Sequence, residues 1–378
     1  MKICILTQPL KCNYGGILQA YALQKTLKDM GHDVLTLNYD RKIRLSKKTI
    51  IKRIVARLLW GKRISIFGNV AFPEINKKLI QFVNENINYS EIIYAPLKYE
   101  HIAKYKFDAY IVGSDQVWRS AYSPYLPTFF LDFLKYKGNA KKIAYAASFG
   151  TPSFDANLDD LDLYASLAQK FDAISVREKD AINIVENNLK SRAELVLDPT
   201  MLLDAHDYTI LINKYKEHDS KNENIIGKQC FGYILDVNRN KMAIYKSISS
   251  RLNLVHNLLT IQQFPPKNFN LDTCIQPSVT SWLRMIKNSS FVVTDSFHGT
   301  VFSIIFNKPF VVIANMERGV SRFNTLLEIF DFSYRIISPD DPDALEKILS
   351  SKIDWDKVNE ILNQYRKRSN DFLNFALK

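Results

Sequence analysis

Short apolar runs alternate along this chain with longer stretches in which apolar residues recur at helical spacing. Lys2–Thr7 reads as a buried strand. In the following "QPLKCNYGGILQAYALQKTLKDMGHDVLTLNYD", Ile17, Tyr21, Leu23, Leu27 and Met30 suit a helix ended by Gly31, and Val34–Leu37 forms the next strand. Phe107–Val112, Lys142–Ala146 and Ala173–Val176 are further strand candidates, and "AELVLDPTMLL" (193–203) offers a strand that runs into a Pro-marked stop. The second half repeats the logic. Gln229–Leu235, Leu258–Gln262, Phe291–Thr294 and Phe310–Ile313 read as strands, with helices expected around 240–252, 279–288, 299–306 and 320–330. Alternating strands and helices imply parallel sheets covered on both faces. The expected architecture is α/β: two doubly wound, Rossmann-like domains, 1–203 and 204–354, facing a cleft, with an amphipathic helix in 355–378 crossing back onto the first domain. No repeat of fixed period interrupts this order.

Length agrees with that division, because 378 residues exceed what one hydrophobic core usually organises. A hydrophobic fraction of 47% and a charged fraction of 24% place the chain with soluble globular proteins rather than disordered ones. Cys4, Cys12, Cys230 and Cys274 are scattered without Cys-x-x-Cys or Cys/His ligand spacing, so neither a disulfide framework nor a zinc site is expected. The opening "MKICILTQPL" has no leader-like apolar stretch and no run approaches a membrane span, so a cytoplasmic protein is expected.

The net charge of +12 is partly local: "RKIRLSKKTIIKRIVARLLWGKR" (41–63) carries ten Lys or Arg and no acid. Ile51, Ile54, Val55, Leu58 and Leu59 follow helical spacing, with Lys48, Lys52, Arg53 and Arg57 largely elsewhere on the wheel, which describes a basic amphipathic helix. A helix packed on its own domain is the first reading. Attraction to an anionic membrane surface is the second, which would place the protein at the inner face of the cell membrane. Nucleic acid is not expected as a partner, since no recognition motif accompanies the charge.

Polar clusters fall where strands end, which is where open α/β sheets bind ligands. After the first strand, Asn13, Tyr14, Gly15 and Gly16 precede a helix whose N-terminal N–H groups favour anions; a plain tight turn is the alternative. Ser114, Asp115 and Gln116 follow "FDAYIV" with a hydroxyl, a carboxylate and an amide, or serve merely as a helix cap. Arg177 follows an apolar strand directly, so its guanidinium suits a bidentate grip on carboxylate or phosphate; pairing with Glu178 or Asp198 is the competing reading. In "TDSFHGT", Ser296 and Thr300 are candidate caps, Gly299 frees the backbone, and His298 lies at a strand-to-helix turn. Arg318 and Arg322 follow the next strand in "NMERGVSRF".

"NYGGILQAYAL", "VGSDQVW", "YAASFG", "SVREKDA", "LDPTMLL" and "VTDSFHGTVFSIIFNKPF", in that order over residues 13 to 310, resemble the polysaccharide pyruvyl transferase family. The resemblance implies a GT-B-like fold and a reaction that uses phosphoenolpyruvate to place a pyruvate ketal on a sugar of a bacterial surface glycan. It implies phosphoenolpyruvate as donor, a lipid-linked sugar as acceptor and no further cofactor. By that resemblance Arg177 matches a phosphoenolpyruvate-binding arginine, His298 the essential histidine of "DSFHG", and Asp115 a motif acid. Two other readings stay open: a nucleotide-sugar glycosyltransferase of the same architecture, and a non-catalytic glycan-binding or membrane-docking subunit. Glu317 has no glutamate eight positions later, which departs from the nucleotide-sugar pattern of many retaining glycosyltransferases.

Overall fold

The computed structural model describes residues 1–41, 51, 55, 71–123, 125–134, 139–215, 227–260, 274–314, 319–338 and 342–378. Apart from Arg41, Ile51 and Val55, the expected basic helix of 41–63 lies outside the described residues, as does Arg318.

The first sheet comprises β1 (Lys2–Leu6), β2 (Asp33–Asp40), β3 (Tyr89–Tyr94), β4 (Ala109–Val112), β5 (Lys141–Ala147), β6 (Ala173–Val176) and β7 (Glu194–Leu195), in the order β3-β2-β1-β4-β5-β6-β7. The second comprises β8 (Gln229–Ile234), β9 (Val255–Thr260), β10 (Phe291–Thr294), β11 (Phe310–Ile313) and β12 (Ile336–Ile337), in the order β12-β11-β10-β8-β9. All the pairings are parallel. Each sheet therefore reverses its direction of growth once, between β1 and β4 in the first and between β8 and β10 in the second. The central strands are apolar throughout because helices cover both faces: β4, β10 and β11 are buried at every position.

Six helices position the cleft: α1 (Tyr14–Asp29), α2 (Lys179–Asn187), α3 (Val279–Asn288), α4 (Phe297–Ile305), α5 (Ser321–Ile329) and α6 (Trp355–Ala376). One continuous hydrophobic cluster joins the two sheets, drawing Tyr14 and Leu18 from α1, Trp282 and Leu283 from α3 and Phe302 from α4. Tyr14 stacks flat on Trp282, centroids 5.3 Å apart at 9°, and donates its hydroxyl to the carbonyl of Pro277 at 2.8 Å. Tyr14 is thus consumed by packing between domains rather than offered to a ligand. On the other side of the cleft, the Lys179 amide donates to Thr325 Oγ1 at 3.0 Å and Ser321 Oγ donates to Asp180, which pins α5 to α2.

The C-terminal helix α6 crosses back to the first domain. Phe372, Leu373 and Ala376 join the cluster of Ile3, Ile5, Leu23 and Val34 beneath the first sheet, and Ser369 Oγ accepts the Leu197 amide at 3.0 Å. Truncating a fully buried leucine removes transfer energy and leaves a cavity. Leu373→Ala should therefore lower the unfolding free energy by about 2–5 kcal/mol in urea, whereas Phe375→Ser, at a residue 71% exposed, should leave it unchanged.

Candidate active site

A cavity of about 240 Å³ opens at the carboxyl ends of the strands, at the reversal points of both sheets. Its walls include Gln8, Asn13, Asp115, Gln116 and Tyr122 from the first domain and Leu235, Asp295, Ser296, Phe297, His298, Arg322 and Phe323 from the second. Two helix N-termini converge on it. Asn13 caps α1 by accepting the Gly15 amide at 3.0 Å, and Ser296 caps α4 by accepting the Gly299 amide at 3.3 Å. Both ends present partial positive charge to the space between them.

α4 begins at Phe297, so His298 stands in the first helical turn rather than in the turn before it. The imidazole is buried against the opposite helix. A methyl group added at Gly15 would lie 1.9 Å from Nδ1 of His298, so only glycine fits there. Gly15 therefore makes room for the histidine. Gly16 faces its own capping residue Asn13 at an ordinary 3.5 Å. On its other side, His298 Nε2 lies 3.7 Å from Asp198 Oδ2, an ion-pair contact longer than a hydrogen bond. Nε2 is thus turned toward Asp198 and Nδ1 toward Gly15.

Asp198 links the histidine to a buried charge network. Arg177 donates from Nη1 to Asp198 Oδ2 at 2.5 Å and from Nη2 to Asp115 Oδ1 at 2.9 Å, with Nε 3.9 Å from Glu178 Oε2. The second Asp198 oxygen accepts the Thr200 amide and hydroxyl at 3.0 and 2.7 Å. Burial alone would raise the Asp198 carboxyl; His298, Arg177 and Thr200 outweigh it and hold the group well below the usual carboxylate range. Asp115 is also held low, since Arg177, His298 and Arg322 together outweigh its burial. Glu178 moves the other way, with burial pushing its carboxyl up against the pull of Arg177 and Ser148.

The structure places Arg177 inside this network. Its guanidinium is occupied by Asp198 and Asp115 and is not part of the cavity wall, so the internal pairing weighed against a ligand grip is the one realised. Arg322 is the arginine that reaches the cavity. Both guanidiniums lie against the Phe297 ring, Arg177 at 4.8 Å and Arg322 at 5.4 Å. Burial first, and the like charge of Arg177 second, push Arg322 down to about 10, which still leaves it protonated at neutral pH.

Other expected residues serve the scaffold. Ser114 Oγ donates to the Ala146 carbonyl at 2.9 Å and its amide to Gln19 Oε1 at 3.0 Å, both out of the cavity. Gly299 is packed on Thr294, whose hydroxyl would lie 2.4 Å from an added Cβ, and Thr300 Oγ1 bonds back to the Ser296 carbonyl at 3.2 Å. Asp115 adopts φ 70°, a left-handed turn that aspartate tolerates, which directs its carboxylate to Arg177 and the cavity. The motif reading missed Gln8 and Asp295, and weighed Asp198 only as a partner of Arg177. Asp295 accepts the amides of Leu235 and Asp236 and the ammonium of Lys241 at 2.7–3.1 Å, fixing the loop that ends β8. Its place directly after β10, beside the singled-out Ser296, was the available signal. No cluster of His, Cys, Asp or Glu suited to a metal ion occurs among the described residues.

Two outcomes follow from this geometry. Gly15→Ala should displace the imidazole and shift its ring-proton signals, identified by their loss in His298→Asn; Gly16→Ala should leave them in place and gain up to about 1 kcal/mol of helix stability. Asp198, with its lowered folded-state value, contributes stability fully above the unfolded value of about 3.9 and loses it only as pH falls through the lower folded value. Asp198→Asn should therefore cost about 3–5 kcal/mol at neutral pH by leaving Arg177 underpaired. In urea unfolding, the gap to the parent should close only below about pH 4, and a gap closing well above that would overturn the assignment to Asp198.

The same two-sheet architecture occurs in UDP-N-acetylglucosamine 2-epimerase from Rickettsia bellii, with a TM-score of 0.52 and 12% identity over 100% of this chain and 97% of that one. A UDP-GlcNAc 2-epimerase from Methanocaldococcus jannaschii, in a complex with UDP-GlcNAc and UDP, gives 0.48 and 15% over 96% and 99%. MurG from Acinetobacter baumannii gives 0.41 and 9% over 97% and 94%. At such identities the likeness shows a GT-B-like fold and no more. No curated protein sequence matches the chain. A family model described as polysaccharide pyruvyl transferase matches residues 13–317, which include Asn13, Asp115, Gln116 and His298 of the cavity wall but not Gln8, Arg322 or Phe323. The chain belongs to the polysaccharide pyruvyl transferase family.

Proposed function

We propose that this protein transfers the pyruvyl group of phosphoenolpyruvate to a sugar of a bacterial surface polysaccharide or its lipid-linked precursor, forming a cyclic ketal. The observation that carries the reading is the placement of Arg322 and His298 in one small cavity between two helix N-termini. Phosphoenolpyruvate brings a phosphate and a carboxylate on three carbons. A guanidinium and two positive helix ends supply charge for both anions. At about 240 Å³ the cavity lies below the roughly 300–1,000 Å³ typical of drug-sized ligands, which suits this donor better than a nucleoside diphosphate sugar.

In this reading His298 is the proton donor. Asp198 faces its Nε2 and holds the ring at the cavity wall. Protonation of the enol methylene leaves a cationic carbon bearing the phosphate ester, and a sugar hydroxyl adds there as it loses its proton. Phosphate then departs with the C–O bond electrons, and a second hydroxyl of the same sugar adds and closes the ketal. Asp115, beside the cavity and held ionised by Arg177, is placed to receive a hydroxyl proton. An acceptor attached to a lipid would bring the protein to the cytoplasmic face of the membrane.

The test is incubation with phosphoenolpyruvate and lipid-linked glycans, in parallel with nucleotide sugars, reading product masses and inorganic phosphate. A pyruvate ketal with phosphate release is expected, and hexose transfer from a nucleotide donor overturns the proposal. His298→Asn should retain native melting and lose turnover by about 10²–10⁴. Arg322→Ala should weaken phosphoenolpyruvate binding in calorimetry, and unchanged affinity would remove Arg322 from the donor site.

A further inference from the structure

Tyr122 is a large aromatic side chain left 44% exposed although it forms part of the cavity wall. It is not a loose surface residue. The Arg119 guanidinium lies 4.3 Å from its ring centroid, and Arg119 Nη1 donates to Gln116 Oε1, another wall residue, at 2.9 Å. The segment carrying the ring is tied down on every side. The amides of Tyr122 and Ser123 donate to the Arg119 carbonyl, and the Ser120 amide donates to Asp155. Ser123 Oγ donates to the Val117 carbonyl at 2.7 Å and lies 3.2 Å from Gln8 Nε2, while Arg41 donates to the Ser123 carbonyl. The result is a pre-organised ring in the cavity wall with a cation against it and much of its surface exposed. Tyr122 is also near enough to Arg322 to act on its charge, so the ring borders the proposed donor pocket.

A rigid, partly wetted aromatic face beside a polar cavity suits a ligand with an apolar face and a polar rim, which describes a pyranose ring with its axial C–H groups on one side. We infer that Tyr122 is the stacking platform for the acceptor sugar, holding its pyranose ring at the cavity mouth next to the donor. The inference rests on the reading of this cavity as a pyruvyl transfer site, but it makes a claim about sugar binding that stands apart from the donor. A fixed ring loses little conformational freedom on binding, so the contact keeps most of its energy. Arg119 also polarises the ring without competing for its open face.

The experiment uses the full chain without phosphoenolpyruvate, and methyl glycosides of glucose, galactose and mannose as probes in saturation-transfer NMR. The parent and Tyr122→Phe should transfer saturation to the ring C–H protons of at least one glycoside. Tyr122→Ala should bind that glycoside about tenfold more weakly while melting as the parent does. Tyr125→Ala removes an equally exposed ring outside the cavity wall and should have no effect. Equal transfer by Tyr122→Ala, equal loss in Tyr125→Ala, or no transfer from the parent to any glycoside overturns the inference. Because no donor is present, failure of the pyruvyl transfer assay alone leaves this result standing.

Discussion

The buried pairing of Arg177 with Asp198 and Asp115 is the constraint on which the rest of the site depends. A guanidinium with a side chain only 1% exposed survives in a low-dielectric interior when opposite charges and hydrogen bonds compensate its lost hydration. Here one carboxylate comes from the end of β4 and the other from just after β7, with Arg177 itself at the end of β6. The pair ties three strand ends of the first sheet into one frame. Asp198 then extends that frame across the domain boundary, because the oxygen facing Arg177 also faces His298. The histidine is placed by charge on one side and by a glycine-sized gap on the other.

That placement requires the two domains to keep a fixed relation. The hydrophobic cluster running through Tyr14, Trp282 and Phe302 provides it, and the contacts between α2 and α5 close the opposite flank. A cleft whose floor is a shared core does not resemble a hinge between separately folded lobes. The consequence is chemical. A histidine on one domain and an ion-pair frame on the other hold their geometry only if the interface is as well packed as either interior.

The alternation of apolar runs and helical spacing made the α/β architecture and most strand positions legible. Two strands escaped that reading. β3 is an edge strand with Ile92 and Tyr94 exposed, so it lacks a buried face to impose a pattern, and β12 is only Ile336–Ile337. Among site residues, His298, Asp115, Asn13, Gln116, Ser296 and Arg322 were legible as polar positions at strand ends, and all of them line the cavity. Arg177 shows where such reading stops. Sequence places a guanidinium at a strand end, but which acids surround it depends on residues 62 positions before and 21 after it. Tyr122 and Gln8 carry no motif and become visible only once the loop folds onto the cavity.

The two arginines divide one requirement between them. Two guanidiniums close together in a buried corner oppose one another, and burial first and the like charge of Arg177 second lower Arg322. Neutralising both with acids would leave nothing for the ligand. Leaving both unneutralised would destabilise the fold. Here Arg177 is matched by two carboxylates and fixes the frame, while Arg322, also against the Phe297 ring, stands at the cavity wall within the electrostatic reach of Asp115 and Glu178. Phe297 separates the guanidiniums and offers each an aromatic surface that tolerates a cation. An anion bound at the cavity wall would add to the compensation of these charges, so anion binding and the stability of this corner of the fold are coupled.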